Sequence, residues 1–157
     1  MLLKEIYDQK HYCFAKGPFT WQDSIRESVK PLVADGTADA IYAEEIIQCV
    51  EKHGPYIIIV PGVAMPHSTE NAQGAHKTAI SFMKVDQPVH FAEDDPEKDA
   101  TIFFTLCATD PQAHLANMQR LASVLMDESV VEKLKNIEKP EDLLEIDKLV
   151  DEEAALA

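Results

Sequence analysis

Tyr56-Ile57-Ile58-Ile59-Val60 is a run of five consecutive apolar residues, four of them β-branched. A run with no polar alternation reads as a strand covered on both faces. Such a strand needs a layer on each side, and the flanking segments have the patterns to make them. Thr20 begins a helix in which Trp21, Ile25, Val29 and Leu32 recur at helical spacing, and Asp35-Gly36 ends it. Asp23, three residues after Thr20, completes a pattern like a capping box. A second helix is expected from Ala40 to Lys52, with Ile46, Ile47 and Val50 inward and Gly54 as the stop.

Three more strands are expected: a short one at His11–Ala15, one from Thr78 to Lys84, and a long one from Thr101 to Ala108, with an acidic loop from His90 to Asp99 before the last. Asp110-Pro111 then starts a helix, with aspartate as cap and proline at the first position, that runs to about Met126. Two shorter helices follow, over Glu128–Asn136 and Glu141–Glu152. No repeat, low-complexity tract or linker interrupts this order. The expected fold is α/β with an α+β character: one layered domain over residues 1–157, a central mixed sheet with helices on both faces.

Charge removes whole classes of function. The chain carries 14 basic and 28 acidic side chains, a formal net charge of −14. Its only arginines are Arg26 and Arg120 and the sequence shows no basic cluster to neutralise a run of phosphates, so nucleic acid is not expected as a partner. The longest apolar run, Tyr56 to Ala64, contains Pro61 and is far too short to span a membrane. The N-terminal residues show no signal pattern. Cys13, Cys49 and Cys107 have neither the even number nor the spacing of a disulfide or metal motif, and fit reduced residues of a cytoplasmic protein.

The candidate chemistry lies in Pro61-Gly62-Val63-Ala64-Met65-Pro66-His67-Ser68. Prolines on either side stiffen this turn, and a histidine held just past a buried strand is where α/β proteins place reactive groups. His114 is the second candidate. It falls in the first turn of the helix after the Thr101–Ala108 strand, where backbone N–H groups and the dipole favour an anion. His53 reads as a helix C-terminal residue, and His11, His76 and His90 as residues in or near surface segments. There is no His-Glu-x-x-His pair, no G-x-S-x-G elbow, no Walker loop and no G-x-G-x-x-G.

The stretch from Pro61 to His67 resembles the active-site motif of the enzyme IIA components of the bacterial sugar phosphotransferase system, in the fructose/mannitol superfamily. Glu51-Lys52-His53-Gly54-Pro55-Tyr56, Thr20-Trp21-Gln22-Asp23 and Asp94-Asp95-Pro96 resemble its ascorbate-type branch, and the likeness runs over nearly the whole chain, as a free-standing subunit. The resemblance implies a relay. The phosphocarrier HPr donates a phosphoryl group to His67, through the tele nitrogen, and His67 passes it to a cysteine of the IIB subunit while a membrane IIC subunit moves the sugar, here L-ascorbate. It implies an assisting role for His114, no metal, no cofactor and no insertion into the membrane by this subunit, and it is compatible with a homodimer.

Two positions depart from the pattern. Glu51 stands where mannitol-type members carry an arginine, and His53 is the candidate to bind phosphate in its place. Ser68 stands where glycine commonly follows the histidine, and its hydroxyl is a further candidate ligand. Val63, Ala64 and Met65 are expected to form an apolar rim for the partners. Two other readings use the same residues: a regulatory relative whose phosphorylated state is itself the signal, and a metal-dependent hydrolase built on His53, His67 and His114.

Overall fold

The computed structural model describes residues 1–68 and 72–156, with side chains as far as 150 in the last helix. In chain order the elements are α1 (Leu2–Asp8), β1 (Tyr12–Ala15), α2 (Trp21–Ala34), α3 (Ile41–His53), β2 (Ile58–Val60), β3 (Gly62–Ala64), β4 (Ala79–His90), β5 (Asp99–Cys107), α4 (Pro111–Leu125), α5 (Glu128–Lys135) and α6 (Asp142–Leu156). A single turn of 3-10 helix, Pro96–Lys98, precedes β5. The five strands form one mixed sheet in the order β1-β4-β5-β3-β2. β1 runs parallel to β4 and β3 parallel to β5, while the β4–β5 and β2–β3 pairs are antiparallel.

Alternation along the strands sorts the core into two apolar clusters. Ile80 and Phe82 of β4, with Ile102, Phe104 and Leu106 of β5, face Leu2, Leu3 and Ile6 of α1 and the apolar sides of α4, α5 and α6. Met83, Val85 and Val89 of β4, with Phe103 and Cys107 of β5, face Ile25, Val29 and Leu32 of α2 and Ile46, Ile47 and Val50 of α3. Phe82, Phe103 and Phe104 are fully covered. Each such ring contributes about 1.5–3 kcal/mol relative to an exposed one. The polar groups caught in the second layer find partners: Thr105 Oγ1 donates to Ser28 Oγ and Ser81 Oγ to the Ser28 carbonyl.

The helix starts follow their capping residues. Thr20 Oγ1 accepts from the Asp23 N–H at 3.1 Å, and Asp110 Oδ1 accepts from the Ala113 N–H at 2.8 Å with Pro111 behind it. The Asp23 carboxylate turns outward to Arg26, so half of the expected capping box is made.

Several expectations are corrected. Tyr56–Val60 is no doubly buried central strand. Only Ile58–Val60 is extended, it lies at the sheet edge beside β3 alone, and Ile59 is 55% exposed. The Gly54-Pro55 turn and Pro61 leave room for three residues, and the pairing continues through Gly62–Ala64, expected as a turn. β4 runs on to His90 through a register shift between Lys84 and Val89, so the expected acidic loop is shorter. α1 goes unforeseen, although Leu2, Leu3 and Ile6 have helical spacing. His11 is buried, not superficial, with Nε2 2.6 Å from Asp35 Oδ2.

Candidate functional site

β3 and β5 run side by side, and the chain leaves β3 through Met65, Pro66 and His67. That exit is anchored on three sides. The Met65 N–H donates to the Ile57 carbonyl at 2.8 Å, and the Leu106 N–H donates to the Pro66 carbonyl at 2.9 Å. The Tyr56 hydroxyl donates to the His67 carbonyl. Beneath, the buried Tyr42 hydroxyl donates to the Leu106 carbonyl at 2.6 Å.

His67 itself is buried, 8% exposed. Its Nδ1 lies 2.6 Å from the Met65 carbonyl. A carbonyl accepts only, so Nδ1 carries the proton and Nε2 keeps the lone pair. The Tyr56 ring stands edge-on to the imidazole, 5.1 Å between centroids and 83° between planes. The His114 ring lies on another side, 5.1 Å away and tilted by 35°. Burial pushes the His67 pKa below the usual imidazole range; the Met65 carbonyl opposes this, and the nearby His114 adds to it. The result is an imidazole kept neutral and oriented.

His67 and His114 are therefore brought together, as their places after two neighbouring strands suggest. Asn117, one turn beyond His114, locks α4 to the end of β5 by donating from Nδ2 to the Cys107 carbonyl at 3.0 Å. The first turn of α4 offers an anion little backbone, however. Pro111 has no N–H, the Ala113 N–H is taken by Asp110, and the His114 N–H donates to the Asp110 carbonyl.

His53 stands one ring further out, its centroid 6.5 Å from that of Tyr56. Ser68 Oγ lies 3.6 Å from Cys49 Sγ and is half-buried. Among the described residues, no three side chains of the His, Cys, Asp and Glu types gather closely enough to hold a metal ion. The expected rim is overturned: Val63, Ala64 and Met65 are 1%, 0% and 3% exposed and belong to the core. Leu115, which follows His114 in α4, is 58% exposed. Tyr42, Tyr56 and Asn117 escape the sequence reading. Tyr42 shares a helical face with Ile46 and Val50 and reads as core, and the Tyr56 hydroxyl is hidden within an apolar run.

Residues 9–148 match the family model for the phosphoenolpyruvate-dependent sugar phosphotransferase system, EIIA 2. The chain belongs to this EIIA family. It is 30% identical over 128 residues to the ascorbate-specific PTS system EIIA component of Escherichia coli strain K12, covering 81% of this chain and 82% of that one. Among solved structures, PtxA of Streptococcus mutans is 25% identical with a TM-score of 0.85, over 97% of this chain and 96% of that one. The mannitol-specific cryptic phosphotransferase enzyme IIA CmtB of Escherichia coli is 28% identical with a TM-score of 0.79, over 93% and 97%. This EIIA is accordingly a phosphoryl carrier of a sugar phosphotransferase system. No helix among its described residues is long and apolar enough to cross a membrane.

Proposed function

We propose that His67 is the phosphoryl acceptor and that Nε2 is the atom phosphorylated. The observation that carries this is the 2.6 Å contact between Nδ1 and the Met65 carbonyl, which leaves one ring nitrogen with a lone pair. In the forward step the His67 Nε2 lone pair forms a bond to phosphorus as the phosphorus–nitrogen bond of the donor's phosphohistidine breaks, and the donor imidazole keeps that electron pair. The Met65 carbonyl stabilises the positive charge that develops on the His67 ring by holding the Nδ1 proton. No covalent work is asked of the rest of the site beyond positioning and polar stabilisation. His114, whose ring lies 5.1 Å from that of His67, is assigned to the equatorial oxygens, and Ser68 and His53 are the further candidate ligands.

The donor in this reading is HPr and the onward acceptor a cysteine of a IIB protein, working with a membrane IIC subunit at the cytoplasmic side. The likeness to the ascorbate-specific EIIA component of Escherichia coli supports L-ascorbate as the sugar. Incubation with phosphoenolpyruvate, enzyme I and HPr, followed by phosphosite mapping, tests the assignment. A single acid-labile phosphoryl group on His67 is expected, with none on folded His67→Ala protein. Normal labelling of that variant would refute it.

A further inference from the structure

At the far end of the sheet from His67 lies a cavity of about 470 Å³, between β1, β4 and the α5–α6 connection. Phe14, Lys16, Lys84, Asp86 and Lys135 line it, with Asn136, Ile137 and Glu138 closing one side. Lys84 sits opposite Phe14 on one side and Ile102 on the other. The Leu106 N–H holds Pro66 near the active site, so four residues of β5, about 13 Å at ~3.3 Å each, separate the two places.

We propose that this cavity is a binding site for a small hydroxylated phosphomonoester, such as a sugar phosphate. Lys84 and Lys135 are half-buried, although lysine ammonium groups ordinarily reach into solvent. Both are fixed by main-chain carbonyls: Lys84 Nζ donates to Ile137 at 3.2 Å and Lys135 Nζ to Pro61 at 3.1 Å. Among the described residues neither meets a carboxylate at ion-pair distance. An ammonium has three N–H donors, so each keeps two for a ligand, and its position is set before the ligand arrives. The Lys135 stem is further confined by Gly62, where a Cβ would come within 2.7 Å of Lys135 Cε.

The surroundings select among anions. Lys16 adds a third cation at the edge, and in a chain of net charge −14 such a gathering opposes the general field. A phosphomonoester head, with its charge of about −1.5 to −2, matches the two held ammonium groups. Asp86 and Glu138 accept hydrogen bonds from hydroxyls and repel a second anionic group, which disfavours polyphosphates. Phe14 and Ile137 offer apolar surface to a carbon skeleton. The volume lies within the ~300–1,000 Å³ of small-molecule sites.

The test is titration of the full chain, as wild type and as His67→Ala, with glucose 6-phosphate, inorganic phosphate and glucose. It is followed by amide chemical shifts and calorimetry at low salt. Saturable binding of glucose 6-phosphate is expected, centred on residues 84–86 and 135–138, and unaffected by His67→Ala. Lys84→Gln and Lys135→Gln each weaken it by about tenfold or more. Lys16→Glu, exposed and without consequence for folding, weakens it as well. No saturation by ~10 mM, or shifts confined to His67 and His114, would overturn the proposal. So would equal binding of inorganic phosphate, which needs no polyol recognition, or of glucose, which needs no cation. Because His67→Ala protein binds in this scheme, failure here is separate from failure of the relay.

Discussion

Tyr56→Phe removes the hydrogen bond from the Tyr56 hydroxyl to the loop that carries His67. The ring that stands edge-on to His67 is kept, while the hydroxyl that donates to the His67 carbonyl is lost. A neutral hydrogen bond contributes about 0.5–1.5 kcal/mol net, and the buried position of His67 leaves its carbonyl with less water to replace it, so a cost of about 1–2 kcal/mol is expected. For a domain of this size that lowers Tm by roughly 2–6 °C. The Nδ1 contact to Met65 is untouched, so the tautomer stays correct and only the placement of the ring loosens. Labelling by phospho-HPr should therefore slow by about three- to tenfold, not vanish. Tyr56→Ala also removes the ring contact, worth about 0.5–1.5 kcal/mol more, and should slow it by roughly ten- to a hundredfold. Rapid-quench labelling with thermal denaturation of the same samples gives both numbers. A Tyr56→Phe protein labelled at the wild-type rate despite a lowered Tm would show that the bond stabilises the fold without placing the nucleophile. A loss as complete as that of His67→Ala would put Tyr56 among the reacting groups and refute the positioning argument.

His114→Ala should still accept a phosphoryl group but pass it to IIB roughly ten- to a thousandfold more slowly, as befits ~1.4–4 kcal/mol of transition-state stabilisation; unchanged onward transfer in stopped-flow measurements would remove it from the site. The His67 ring should titrate below the ordinary imidazole value near 6.5, because burial disfavours its charged form, and NMR of its ring nitrogens would contradict this by a midpoint at or above that value. The sign for stability follows: the unfolded chain binds this proton more readily, so the His67 contribution weakens the fold as pH falls below about 6.5 and is absent above it. Met65→Asp places a carboxylate in the core and should unfold the chain, whereas Leu115→Asp should leave Tm within about 2 °C yet weaken exchange with both partners; equal exchange kinetics for Leu115→Asp and wild type would discard Leu115 as an anchor.

The positions of α2 to α6 were legible because their signals are local, whereas α1, with no side-chain cap, was not. Thr20, Asp110 and Pro111 act within one turn, and the apolar spacing of Ile25, Val29 and Leu32 needs no knowledge of the partner layer. The neighbouring placement of His67 and His114 followed from two strands ending at the same side of a sheet. Strand rank was not legible. Ile57, Ile58 and Ile59 look equally suited to a core, yet Ile57 is fully buried and Ile59 lies open, because edge or centre is decided by pairings across the chain. The rim was misread for a related reason: Val63 and Met65 sit beside the histidine in sequence, but β3 continues past the turn and carries them inward. Tyr42 and Tyr56 were hidden because a hydroxyl gains its role only from the carbonyl that folding brings to it.

The short strand β3 has a consequence for motion. Val63 and Met65 enter one apolar cluster and Ala64 the other, so three successive residues grip both halves of the molecule. Many reactive loops belong to the least protected part of a fold and open locally. Here, detaching the segment before His67 strips side chains from both layers at once, which approaches the cost of melting the whole. Amide exchange at residues 63–65 is then expected to proceed by global unfolding, not by a cheaper local excursion. The His67 ring should then keep its place for as long as the protein is folded, and the phosphoryl acceptance proposed for it should be lost on heating along the same curve as the structure.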